Sequence, residues 1–140
     1  MKIAVATTSG GLDDQISPVF GRCQTFTIVE ADNGEIKEVE VIQNESASSA
    51  GGAGIRASQL MVEKGVDTVI AGNFGPNSAT ILKKAGIKMV QTRGNVKEIL
   101  MKYLNGDIKP ITTPTVGEHF GIGYGMGRGG GRGMGYGRRQ

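Results

Sequence analysis

The sequence predicts a small α/β domain on a mixed sheet, and three observations predict it. The first is a set of short β-rich runs at the start of the chain. Residues 2–7 (KIAVAT) form a continuous apolar run, too short for a helix and suited to a buried strand. Residues 24–31 (QTFTIVEA) and 36–42 (IKEVEVI) are rich in β-branched side chains, and the second alternates apolar with charged residues. The second observation is the turn between them. Asp32-Asn33-Gly34 is hairpin chemistry, because Asn and Gly tolerate positive φ, so these runs should pair antiparallel. The third is a change of period after residue 50, where helical spacing alternates with strand runs. Helices are predicted over 54–64, 76–85 and 95–106, and strands over 66–72 and 87–92. Gly65 and Gly86 stop the first two helices, Pro76 suits a first turn, and Asn105-Gly106 ends the third. Strand–helix–strand units imply parallel pairing with right-handed crossovers. The predicted architecture is an antiparallel meander joined to a parallel half, with helices over the sheet.

The chain has 140 residues, enough for one core, and no Trp, so Val, Ile, Leu, Met and Ala must fill it. Charge divides it in two. Residues 1–120 hold 12 Lys and Arg against 13 Asp and Glu, whereas residues 121–140 hold 4 Arg and no acid. The division predicts a near-neutral body over 1–116 and an unstructured cationic tail over 117–140. Half of the last 20 residues are Gly, too little apolar surface to offset the entropy of ordering them. One cysteine excludes an intrachain disulfide and any four-Cys site within a chain. The sequence has neither a secretory leader pattern nor a run long enough to span a membrane, so a cytoplasmic protein with no membrane partner is expected.

Ligands of open sheets sit beyond the carboxyl ends of parallel strands. Three runs that should be parallel end in loops of Gly and small polar residues: Thr7–Gly11, Gly72–Asn77 and Thr92–Asn95. A fourth segment, Ala50–Gly54, leads into the first helix. Backbone N–H groups of Gly51, Gly52, Gly54, Asn73 and Gly75 are therefore candidates to meet an anion, with helix N-termini adding positive potential. The alternative is that these glycines only make tight connections. Cys23 follows Arg22, whose charge would stabilise a thiolate, the form that binds iron. Cys23 is thus either an iron ligand or a small buried residue. His119, at the junction with the tail, is a metal candidate or a solvated side chain. Asp13-Asp14 is a possible hard-metal pair, or a capping and solvent-facing one.

These residues carry a resemblance. VATTSGGLDDQISPVFGRCQTFTIVE, followed by GGAGIRASQLMVEKGVDTVIAGNFGPNSATILKKAGIKM, resembles the dinitrogenase iron–molybdenum cofactor biosynthesis family, the nitrogenase accessory factor-like proteins, over about residues 1–110. The most specific stretches are Gly21-Arg22, Gly51–Gly54 and Gly72–Asn77. The resemblance implies a ribonuclease H-like fold with a five-stranded mixed sheet. It implies binding or carrying of iron–sulfur-type precursors or cofactors, without turnover, so no catalytic residue is expected. Several members place a histidine in the loop that Asn44 opens. Here that loop reads Glu45-Ser46-Ala47-Ser48-Ser49-Ala50, which makes Cys23 the candidate iron ligand. With one thiol per chain, a cluster would need several chains, exogenous sulfide or thiol, or charge contacts to its sulfurs.

A nuclease would need clustered carboxylates for two metals, and neither Lys2–Thr7 nor Val69–Gly75 contains an acid. No phosphate-binding G-x-x-x-x-G-K-[ST] stretch is present, and Gly51–Gly54 does not follow a strand as a dinucleotide fingerprint should. Binding is the expected activity. Arg128, Arg132, Arg138 and Arg139 would gather anionic iron–sulfur clusters or iron-sulfide species, and many copies would gain avidity, giving a self-associating scaffold or iron store. One alternative is a carrier for an iron–molybdenum-type precursor. Another is an RNA-binding accessory protein, because Arg-Gly segments with interleaved Tyr bind single strands by phosphate contacts and stacking. A merely solubilising tail is the remaining possibility.

Overall fold

The computed structural model describes residues 1–48 and 51–111; His119, the four tail arginines and the proposed 116/117 boundary lie outside the described residues. Five strands and three helices follow in the order β1 (Lys2–Thr7), β2 (Thr25–Asp32), β3 (Glu35–Gln43), α1 (Ala53–Glu63), β4 (Thr68–Ala71), α2 (Pro76–Lys84), β5 (Lys88–Gln91) and α3 (Val96–Leu104). They form one five-stranded sheet of order β3-β2-β1-β4-β5. β1 is the seam. It pairs antiparallel with β2 and parallel with β4, so the predicted meander and the predicted parallel half meet along it. The hairpin turn is as its residues require: Asn33 (φ 52°) and Gly34 (φ 79°) both take positive φ, the combination that matches strand twist.

Two predicted strands are shorter than their apolar runs. Val66 donates its N–H to Met61 O and closes α1, while Asp67 receives Lys2 N–H on its carboxylate, so β4 begins only at Thr68. Ile87 likewise donates to Leu82 O at the end of α2 before β5 begins. A strand run in sequence thus includes the residues that seal the preceding helix.

Each face of the sheet has its own core. Ala4, Ala6, Phe26, Ile28, Val69 and Met89 pack under α1 and α2 with Met61 and Leu82. Ile3, Val5, Val29, Ile70 and Val90 pack under α3 with Val96, Ile99 and Leu100. Strands buried on both faces read as continuous apolar runs, which is why β1 and β4 stood out in sequence. Burying a side chain such as Phe26 or Met61 stabilises the fold by about 1.5–3 kcal/mol. Asn95 begins α3 by accepting Glu98 N–H on its side chain at 3.0 Å. No described helix is long and apolar enough to cross a membrane.

Candidate functional site

The carboxyl ends of β1, β3, β4 and β5 lie on one rim, where all three helices also begin. The predicted convergence of loops occurs there, through the segment from Leu12 to Cys23. Ser17 donates to Ala6 O at 2.7 Å and receives Gly72 N–H at 2.9 Å. Ile16 donates to Gly94 O at 2.9 Å, and Phe20 to Asn73 O at 3.0 Å. Phe20 anchors the segment among aromatic rings, 5.6 Å from Phe26 and 5.5 Å from Phe74.

That stitching occupies donors of the loop after β1. Asp14 accepts the N–H of Thr8, Gly10 and Gln15, each at 2.8 Å. Burial opposes its ionisation, but the backbone donors of Gly10, Gln15, Thr8 and Ser9 prevail and hold its carboxyl below the usual range. Gly11 N–H goes to Thr27 Oγ1 at 2.9 Å, within a buried hydroxyl cluster that includes Thr7 and Thr25. The loop after β1 already holds an anion, its own carboxylate. Asn73 is also engaged, its side chain donating to Pro18 O at 3.0 Å.

Several predicted glycines are sites of close approach. A Cβ on Gly21, which has φ +98°, would lie 2.9 Å from Gly54 Cα, and one on Gly72 would lie 2.8 Å from Pro18. Gly52 (φ +76°) begins α1, Gly51 faces open space, and Gly75 is extended at φ −81°. The Gly21–Gly54 contact lets the Arg22–Cys23 segment lie against the start of α1.

Cys23 is 1% exposed and belongs to the core under α1 and α2. Burial pushes its thiol up to about 12, against hydrogen bonds from Gly21 and Asn44. Desolvation thus opposes the thiolate that Arg22 was expected to stabilise, and the buried position matches the alternative of a small core residue. Arg22 instead donates Nη1 to Ala47 O at 3.2 Å. Asn44 completes the unit. Its Nδ2 donates to Gly21 O (3.0 Å) and Cys23 O (2.8 Å), while its Oδ1 accepts from Ser46 Oγ at 2.7 Å. Gly21–Cys23 and Asn44–Ala47, far apart in sequence, form one hydrogen-bonded shelf.

Above that shelf a cavity of 670 Å³ opens between Ile42–Ser46 and one side of α1. Arg56, Leu60 and Lys64 line it at four-residue spacing, so two cations and an apolar side chain of α1 share it with Ile42 and Glu45. This chemistry suits an anionic ligand with a soft or apolar body. Sequence reasoning missed Arg56 and Lys64, although their spacing with Leu60 was the available signal. Among the described residues no three His, Cys, Asp or Glu side chains gather as a metal site.

Fold and cavity together define a small mixed-sheet α/β domain with a pocket along its first helix that Arg56 and Lys64 help to line. The chain belongs to the family described as dinitrogenase iron-molybdenum cofactor, whose model matches residues 1–106. An uncharacterized protein of Methanocaldococcus jannaschii, MJ0580, is 34% identical over 110 residues, covering 78% of this chain and 90% of that protein. The apo form of the orange protein from Desulfovibrio gigas superposes with a TM-score of 0.77 at 30% identity, covering 82% of this chain and 96% of that one. A Thermotoga protein of the DUF35 family does so with a TM-score of 0.68 at 32% identity, covering 82% and 97%.

Proposed function

We propose that this protein is a non-enzymatic carrier or scaffold for anionic metal–sulfur species, on a ribonuclease H-like frame. The observation that carries the reading is the cavity that Arg56 and Lys64 help to line, in a body that matches a cofactor-associated family over residues 1–106. The cargo would be an iron–sulfur cluster or iron sulfide, held by charge and soft contact and not by the buried thiol of Cys23. The arginines at 128, 132, 138 and 139 would gather more of the same cargo, and loaded chains would self-associate.

Protein purified without oxygen should be brown, with iron and acid-labile sulfide retained through gel filtration. Arg56→Gln with Lys64→Gln should lower retained iron several-fold, whereas Cys23→Ser should leave most of it. Colourless, iron-free protein that also takes up no iron and sulfide on reconstitution would overturn the proposal. The family description supports one second reading, an iron–molybdenum-type precursor as cargo. Molybdenum measured beside iron in the same samples separates the two. Salt-sensitive retention of polynucleotide by colourless protein would favour the RNA-binding alternative instead.

A further inference from the structure

The two edges of the sheet end differently. Beyond β5, Ile111 bridges back to Met89 and packs against the core under α1 and α2. Beyond β3, no described residue pairs, and the outer N–H and C=O groups over Glu35–Gln43 form an open edge. Val39 and Val41 pair with Val29 and Thr27, on the sheet face that carries α3, yet each remains 43% exposed. A long edge with exposed valines beside it is a template for another strand.

The sequence beyond Ile111 holds a segment with matching properties. Every odd position from 121 to 137 is Gly, while the even positions hold Ile, Tyr, Met and Arg, with one Gly at 130. Side chains alternate faces along an extended chain, so this segment as a strand would have one bare face and one large apolar–cationic face. Charge is complementary as well. Residues 25–43 hold five acids and one lysine, and residues 121–140 hold 4 Arg and no acid. Reach is sufficient. Ile111 lies one spacing outside β5, so six strand spacings, about 29 Å, separate it from a strand added outside β3, and the 10 residues from Ile111 to Gly121 span up to about 33 Å when extended.

We propose that residues 121–138 add to the open edge of β3 in their own chain, with the large side chains on the sheet face of Glu38, Glu40 and Ile42, where the arginines meet the acids of the hairpin, and the glycines on the face of Val39 and Val41. This goes beyond the carrier reading and does not depend on it. Ordering glycine costs more entropy than ordering any other residue, so the added strand is held weakly and reversibly. A polyanion that takes up the arginines would release it.

A nitroxide on Gln140→Cys in the full, metal-free chain tests the docking, since Cys23 is too buried to compete for the label. At about 20 mM salt the amide signals of residues 35–43 should broaden more than those of α2 and α3, and the effect should vanish at about 500 mM, where charges are screened. Glu35→Gln with Glu38→Gln and Glu40→Gln should reduce the broadening several-fold without altering the rest of the spectrum. Broadening absent at low salt, or centred on another surface, would overturn the proposal. So would broadening that is only intermolecular, seen undiminished in a mixture of spin-labelled and isotope-labelled copies.

Discussion

Two stretches of the same rim solve the problem of glycine-rich loops in opposite ways. Over β1, β4 and β5 the loops are closed by the Leu12–Cys23 segment, and many of their donors are spent on Asp14, Thr27, Ser17 and Pro18. Over β3 the shelf of Gly21–Cys23 and Asn44–Ala47 supports an open cavity with cations on α1. Loop composition is similar in both. The difference teaches that a loop's donors are spent where the chain supplies its own acceptors, and that the cavity beside β3 is where the proposed anionic cargo would have room.

The comparison breaks most severely at the point where the two stretches join. Gly21→Ala combines φ +98° with a 2.9 Å approach to Gly54 Cα, and should cost about 2–3 kcal/mol in urea unfolding. Gly51→Ala meets nothing within 4 Å and should stay within about 0.5 kcal/mol of the parent. Equal losses for the two would contradict the assignment of Gly21 to close packing.

Asn44→Ala should cost about 2 kcal/mol, because it leaves the buried carbonyls of Gly21 and Cys23 and the Ser46 hydroxyl without this partner. It should also loosen the cavity, so retained iron should fall together with stability. A loss of stability with full retention would separate the shelf from the binding site.

Titration probes the closed stretch and the core beside it. Asp14 has a lowered carboxyl pKa, so its contribution is complete above the unfolded value near 3.8 and is lost as pH falls through the lower folded value. Asp14→Asn should cost about 1 kcal/mol at neutral pH and flatten the acid side of the stability profile. Cys23 has the opposite sign. Its pKa is raised from 9.0 to about 12, so its contribution is complete below pH 9 and is lost as pH rises toward 12. Cys23→Ala should make the alkaline decline shallower, as followed by circular dichroism across that window. The smallest stability effect is expected at the open stretch: Arg56→Gln with Lys64→Gln should change unfolding by under about 0.5 kcal/mol while lowering iron retention.

Much of the frame was legible because each element carries a local signal. The Asn33-Gly34 turn, the apolar runs of β1 and β4, and the Asn95–Glu98 cap of α3 are written in neighbouring residues. Local chemistry left Cys23 open between an iron ligand and a buried core residue. Adjacency suggested a cation beside a thiolate, but the backbone turns one side chain to Ala47 and the other into the core.

From the sequence alone came the mixed α/β order, the neutral body with a cationic tail, and the family resemblance. These depend on period, turn chemistry and composition, which act over a few residues or over the whole chain. Tertiary structure decided which loops are closed, where the thiol lies, and that Arg56 and Lys64 share a cavity with Ile42. Those outcomes depend on partners distant in sequence, such as Gly21 with Gly54 and Asn44 with Cys23, whose proximity arises only when the sheet and α1 pack together.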